Sequence, residues 1–298
     1  MWSKDLYINS IKRIYHEVYK NINQEYITVF LCGGASTNSK CIRDIVRKKL
    51  EKKKIRVLYP EDLFMDLLTK NKSMDLLSLE NFLAQNSDII CIIPESPGSF
   101  VELGAFSNNK NTLEKLFVVI NQVYKNEKSF IMTGPIKYIT KNNGKNRVIY
   151  FNDKEIDDLV RKISIKFKIY SHGMENKIMD LDSIIGQYYF IQLVIYFVKD
   201  ITNEHLNKIV KLLYLDNNYD EDRFDMTFQS ALKFLYKERH IQKNIIKKEL
   251  SLTYKGNLYV EKIIYNLKVK NQTKLYDSIR YGIIYSKLWY DIPLENTI

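Results

Sequence analysis

Short apolar runs and amphipathic stretches alternate along the first half of the chain. YITVFLCGG (26–34) is apolar, rich in β-branched residues and closed by two glycines, the pattern of a buried strand feeding a tight turn. IRVLYP (55–60), DIICIIP (88–94), KLFVVIN (115–121) and RVIYF (147–151) predict four more strands. Between them, CIRDIVRKKLEKK (41–53) puts Ile42, Ile45, Val46 and Leu50 on one helical face, and EDLFMDLL (61–68), LLSLENFLAQN (76–86) and SFVELGAFSNN (99–109) also predict helices. A long helix is expected over 152–170, opened by a capping pattern from Asn152 to Glu155. The stretch 141–146 reads as a surface loop. This alternation predicts an α/β fold, a doubly wound parallel sheet with helices on both faces. Ligands of such sheets lie beyond the carboxyl ends of the strands. The loops Gly33-Gly34, Pro60-Glu61-Asp62 and Glu95-to-Ser99 are therefore expected to converge on one pocket.

From about residue 174 the alternation gives way to helical periodicity. The apolar run from Ile184 to Val198 is interrupted by Gly186 and Gln192 and is shorter than the roughly 20 residues that span a bilayer; it predicts a buried helix. Residues 228–266 read as a helix, a short polar hairpin, and then Leu252-Thr253-Tyr254-Lys255-Gly256 opening another helix. That order resembles the wing end of winged helix-turn-helix domains. At the start of the chain, Leu6, Ile11, Ile14, Tyr15 and Val18 have helical spacing, without the apolar core of a signal peptide. The expected organisation is one domain over 1–172, including this helix, and a second, mainly helical and winged-helix-like, over 173–298.

The 298 residues carry 46 basic and 35 acidic side chains, a net charge of +11. Residues 226–298 hold 13 basic and 6 acidic groups, so the C-terminal end alone carries +7. A basic balance of this kind permits contact with a polyanion. The three cysteines, Cys32, Cys41 and Cys91, have no CxxC or Cys/His spacing, which argues against a disulfide framework or a zinc site and for a cytoplasmic protein with reduced thiols.

The segment PESPGSFVELG (94–104) is the best candidate for chemistry. Pro97 and Gly98 turn the chain after a buried strand, Ser99 can cap the following helix, and Glu102 stands three residues on. At a helix N-terminus a carboxylate is expected to stay ionised, and backbone donors are available to ribose or phosphate oxygens. A plain alternative exists: Ser99-x-x-Glu102 is also a capping box, in which the glutamate does no more than bond the Ser99 N–H.

The wider pattern ITVFLCGG, LYPEDLF and SLENFLAQNSDIICIIPESPGSFVELGAFSNN resembles the nucleoside deoxyribosyltransferase-like family in the order and position of its elements. LCGG, YPEDLF, LLSLEN and PESPGSFVELGAFSNN are similar to one branch, the effector proteins of type II-A retrons, bacterial anti-phage systems. The resemblance is sharp over about residues 27–121. It implies cleavage of an N-glycosidic bond, with Glu102 as the catalytic carboxylate. For the retron branch it implies a toxic effector that hydrolyses NAD+, as substrate rather than cofactor, with release of nicotinamide. Gly33, Gly34, Asp62, Glu80, Ser96, Gly98 and Ser99 are then the expected substrate-binding residues, with Glu80 standing where the family usually has aspartate. The implied partners are a reverse transcriptase, multicopy single-stranded DNA (msDNA) and its RNA, in an oligomer or higher assembly and without a membrane.

In the C-terminal part Lys233, Lys237, Arg239, Lys243, Lys247, Lys248 and Lys255 are interleaved with Phe234, Tyr236 and Tyr254. Such a cluster suits phosphate contact and base stacking, though a solvated helix face and hairpin would look the same. His16, His172, His205 and His240 are scattered and carry no catalytic pattern. Two other functions fit parts of the sequence: a salvage nucleoside deoxyribosyltransferase or nucleoside hydrolase, and a non-enzymatic nucleotide-sensing DNA-binding regulator.

Overall fold

A computed structural model describes residues 2–22, 26–34, 41–53, 55–59, 75–172 and 179–289. Asp62 and the helix expected over 61–68 lie outside the described residues. The chain divides into two compact units, Glu25–Asn176 and a second formed by Met1–Gln24 with Lys177–Ile298.

The unit Glu25–Asn176 is built on five parallel strands, β1 (Ile27–Cys32), β2 (Ile55–Leu58), β3 (Ile89–Ile92), β4 (Leu116–Asn121) and β5 (Val148–Phe151), in the order β2-β1-β3-β4-β5. Each coincides with a predicted strand. The strands are buried on both sides, which is why they read as continuous apolar runs rather than alternating ones. Val29, Leu31, Ile89, Cys91, Phe117 and Val119 face helix α2 (Ile42–Leu50), through Val46 and Leu50, and the long helix at the end of the unit, through Leu159, Ile163 and Phe167. Intervening residues such as Phe30, Ile90, Ile92 and Val118 are equally buried. On their side stands α4 (Pro97–Asn108), whose Phe106 meets Phe30 edge to face, with ring centroids 5.9 Å apart. Helix α3 (Leu76–Gln85) leads into β3.

A short helix, α5 (Lys110–Leu113), precedes β4, and α6 (Lys137–Asn143) follows a π-helical turn, Met132–Ile136. The expected loop over 141–146 is thus partly helix. Gly134-Pro135 masked that helix in the sequence, because the wider π-turn accommodates a proline that an α-helical interior would not. Helix α7 (Ile156–His172) begins later than predicted, because Asn152 closes a turn instead of capping: its Oδ1 accepts from Lys154 N–H and its carbonyl from Glu155 N–H.

The other unit is mainly helical. Its helix α1 (Trp2–Arg13) packs on α12 (Gln272–Trp289), with Arg13 donating to Ser278 Oγ at 2.9 Å. The N-terminal helix expected in the first domain belongs here instead, because its apolar stripe is buried by the C-terminal helices: Tyr7 and Ile11 are 1% exposed. At the centre lies α8 (Ile184–Val198), buried along its whole length. The chain then runs β6 (Ile201–Thr202), α9 (Asn203–Asp216), α10 (Phe224–Lys237), β7 (Ile241–Lys243), β8 (Glu249–Leu252) and α11 (Tyr254–Tyr265). The three strands form an antiparallel sheet in the order β6-β8-β7. A side chain at Gly256 would put its Cβ 2.0 Å from the His240 carbonyl oxygen, so only glycine lets α11 lie against the β7 strand here. No described helix is long and apolar enough to cross a membrane.

Candidate functional site

The sharp turn after β3 is held by two serines. Ser96, not Ser99, is the N-cap of α4, with Pro97 at the first helical position and Ser99 at the third. The Ser99 hydroxyl accepts from Glu95 N–H and Ser96 N–H and donates to Ser96 O at 2.7 Å. Ser99 is 1% exposed, and its own N–H donates to Ser96 Oγ. Both serines thus build the turn. The capping box pairs Ser96 with Ser99, which removes the capping alternative for Glu102.

Glu102 lies in the second turn of α4, beyond the first turn in which the helix dipole acts strongly. Its half-buried carboxyl group interacts with Glu80 of α3 and the Cys32 thiol at the end of β1. Its Oε2 is buried without a hydrogen-bond partner among the described residues. Burial, followed by the like charge of Glu80, pushes Glu102 up to about 8, and Arg43 acts in the opposite direction. The carboxylate expected to stay ionised is instead biased towards its protonated form by burial and by Glu80. Burial and a second carboxyl outweigh the helix dipole.

Arg43 of α2 is buried, its guanidinium 4.4 Å from the ring centroid of Tyr59, which in turn donates to Arg43 O. Gly33 is the residue that lets it pass: a Cβ there would stand 2.9 Å from the Arg43 side chain and 3.1 Å from Ile93 O. Gly34 similarly faces Cys41 Sγ and the Glu95 side chain. Glu95 caps α2, accepting from Ile42 N–H (2.9 Å), Arg43 N–H (3.0 Å) and Cys41 Sγ (3.0 Å). Gly98 meets open space where a side chain would extend.

Glu80, Glu102, Gly33 and Arg43 are thus gathered at the carboxyl end of β1. A cavity of about 420 Å³ opens beyond the ends of β3, β4 and β5, lined by Glu95, Phe100, Asn121, Tyr124, Met132 and Asp153 among others. Glu95 lines that cavity, with Gly34 against its side chain and its N–H donating to Ser99 Oγ. Asp62 lies outside the described residues. Arg43 and Tyr59 escaped sequence reading, while Cys32 was read only as a reduced thiol and Glu95 only as the start of a loop. Only Glu95 had a local signal, as an acid directly after a strand end.

The basic residues of the helical unit fall into two groups. Lys237 and Arg239 are exposed at the end of α10, where Lys233 is half-buried, and Lys255 at the start of α11 donates to Glu238 O at 2.7 Å. Lys243, Lys247 and Lys248 are exposed on the β7–β8 hairpin. His205 and His240 are buried, His205 against Tyr7 OH (2.9 Å) and His240 against Tyr188 OH and Gln192 Oε1 (2.9 Å each).

Residues 39–243 match the STM3845 retron effector protein family. The chain is 34% identical over 227 residues to the "Retron Ec86 putative ribosyltransferase/DNA-binding protein" of Escherichia coli, covering 72% of this chain and 73% of that protein. It is 38% identical over 123 residues to the "Retron Ec73 putative ribosyltransferase/DNA-binding protein" of the same organism, covering 38% of each. The family match takes in the β3 turn, Glu80, Glu102 and the whole of the β7 strand, and this chain belongs to the STM3845 retron effector family.

Proposed function

We propose that this protein is the toxic effector of a retron anti-phage system and cleaves the N-glycosidic bond of NAD+ with Glu102 as its catalytic carboxylate. The observation that carries the reading is the pair of buried Glu80 and half-buried Glu102 at the carboxyl end of β1 in a parallel sheet, with a buried arginine beside it. Buried acids with displaced pKa values are costly to keep and concentrate at functional sites.

The bond from C1′ to the nicotinamide nitrogen breaks with its electron pair leaving on nicotinamide, which departs neutral and needs no proton. Positive charge develops on C1′ and the ring oxygen, and an ionised Glu102 stabilises it or bonds to C1′. Water then adds to C1′, displacing the Glu102 carboxylate where that bond has formed, its proton goes to solvent, and ADP-ribose results. The positive nicotinamidium ring favours the ionised form of Glu102 on binding. Glu80 orients ribose hydroxyls, together with Asp62, while Gly33, Gly34, Ser96, Gly98 and Ser99 shape the floor of the site. Arg43 holds the pair's remaining negative charge.

One observation also favours a second reading. A carboxyl that keeps its proton near neutrality can donate to a leaving nucleobase, which suits a nucleoside deoxyribosyltransferase or hydrolase. Nicotinamide release from NAD+ and base exchange on deoxynucleosides, both followed by chromatography for the wild type and Glu102→Gln, separate the two. Release in the wild type alone supports NAD+ cleavage, exchange alone supports the nucleoside reading, and unchanged NAD+ turnover in the variant removes Glu102.

The helical unit is inferred to be a nucleic-acid-contacting winged helix. Its order α8–β6–α9–α10–β7–β8, with the sheet β6-β8-β7, supports this, as do the basic residues at the end of α10 and on the hairpin. Its proposed ligand is the msDNA or its RNA, within an assembly that also holds the reverse transcriptase.

A further inference from the structure

The β7–β8 hairpin carries two features that pull in opposite directions. Its tip, Asn244 to Lys248, presents Ile245 and Ile246 at 88% and 93% exposure. Yet the tip is well organised. Asn244 N–H donates to Glu249 O at 2.8 Å, and Asn244 Oδ1 accepts from Ile246 N–H (3.0 Å) and Lys247 N–H (3.1 Å). Lys248 takes the left-handed conformation, φ 56°, that closes the turn. Two large apolar side chains are therefore held in water by a built turn, although burying each would stabilise the fold by about 1.5–3 kcal/mol. Lys243, Lys247 and Lys248 flank them along the hairpin, exposed and in no ion pair with a described carboxylate.

We propose that Ile245 and Ile246 form an apolar wedge that inserts between stacked bases of a nucleic-acid duplex while Lys243, Lys247 and Lys248 hold the flanking phosphates. The inference rests on the nucleic-acid reading of the helical unit and adds the mode of contact. Lysines alone suit any polyanion, but an apolar tip between lysines needs a partner with an anionic surface and an apolar interior one layer below. Duplex DNA or a hairpin stem meets that requirement: isoleucine is among the wedge residues that unstack a base step from the minor groove, and the lysines add the salt-dependent affinity. A phospholipid surface is the competing source of the same chemistry. The position of the tip on a hairpin that directly follows α9 and α10 favours nucleic acid.

The test uses the full chain and a 20-base-pair DNA hairpin with 2-aminopurine in its stem, alongside the matching single strand and phosphatidylserine vesicles. The wild type is expected to bind the hairpin and raise 2-aminopurine fluorescence as the step unstacks. Ile245→Ala/Ile246→Ala should keep the melting temperature and the salt slope, lose the fluorescence change, and weaken binding roughly ten- to hundredfold. Lys243→Ala/Lys247→Ala/Lys248→Ala should lower the salt slope by about 2–3. Wild-type hairpin binding that the isoleucine variant retains in full, with its fluorescence signal, overturns the wedge and leaves the winged-helix reading standing. Binding to neither DNA form overturns both. Isoleucine-dependent binding to vesicles without any fluorescence change on DNA makes the tip a membrane contact instead.

Discussion

Two buried polar clusters, one in each unit, are built in opposite ways. In the helical unit, His240 meets Tyr188 OH and Gln192 Oε1, Tyr188 also reaches Glu238, and Tyr259 donates to Tyr189 at 3.1 Å. Within this cluster donors face acceptors, and α8 is locked to the end of α10 and to α11. In the α/β unit, two carboxyl groups of like charge face one another and one oxygen of Glu102 has no partner. A satisfied network specifies one structure, whereas a frustrated pair spends stability on something other than folding. Folding alone would replace Glu102 by an amide; substrate chemistry gives a reason to keep the acid.

That contrast is broken most directly by Glu102→Gln, which should lower turnover by about 10²- to 10⁴-fold and raise stability at the same time. The sign follows from linkage. The folded-state value of about 8 lies above the 4.5 of an ordinary glutamate, so between those values the folded chain holds a proton that the unfolded chain has lost. The contribution of the pair to stability therefore falls as pH rises from about 4.5 to 8. The variant should melt above the wild type at pH 8.5, with the gap closing towards pH 4.5. A variant that melts lower at pH 8.5 makes Glu102 a structural residue. In the other unit, His240→Ala should do the reverse. Taking the imidazole from between Tyr188 OH and Gln192 Oε1 leaves a core cavity and removes a partner of each, and should cost about 2–4 kcal/mol in urea unfolding.

Much of this contrast was hidden from the sequence, for physical reasons. The five strands were legible because a parallel sheet covered on both faces needs uninterrupted apolar runs. Glu102 was legible through the turn before it and its family resemblance. The charge state of Glu102 was not, since it depends on Glu80, twenty-two residues away, and on burial. Arg43 looked like one more basic residue on an amphipathic helix; only the glycine turn brought beside it by β1 gives it a place. The N-terminal helix had a readable stripe but no readable partner, because the helix that covers it comes some 260 residues later. Ser99 looked like a cap because the pattern S-x-x-E is common, while the true cap, Ser96, pairs with a serine.

Glu80→Gln sharpens the comparison within the site. Removing the neighbouring carboxyl takes away the second-largest cause of the shift and leaves burial. The acid limb of kcat/KM, expected to rise towards pH 8 in the wild type as Glu102 ionises, should move down by about 1–2 pH units. A limb that stays in place assigns it to another group.

The smallest effect separates cap from catalyst. Ser96→Ala removes the N-cap of α4 and should cost about 1 kcal/mol. Ser96 and Glu102 are six residues apart, or about 9 Å along the helix axis, and share no hydrogen bond among those described. Substitutions at that separation are expected to add within about 0.3–0.5 kcal/mol. Ser96→Ala/Glu102→Gln should therefore carry the loss of one and the gain of the other, measured by urea unfolding at pH 8.5. Were Glu102 part of the cap, the two changes would remove the same hydrogen bond and the double variant would be no less stable than the worse single one. A coupling above about 1 kcal/mol, larger than independent sites allow, would return Glu102 to the role of a capping residue, and the acid pair would then stabilise the turn it was proposed to exploit.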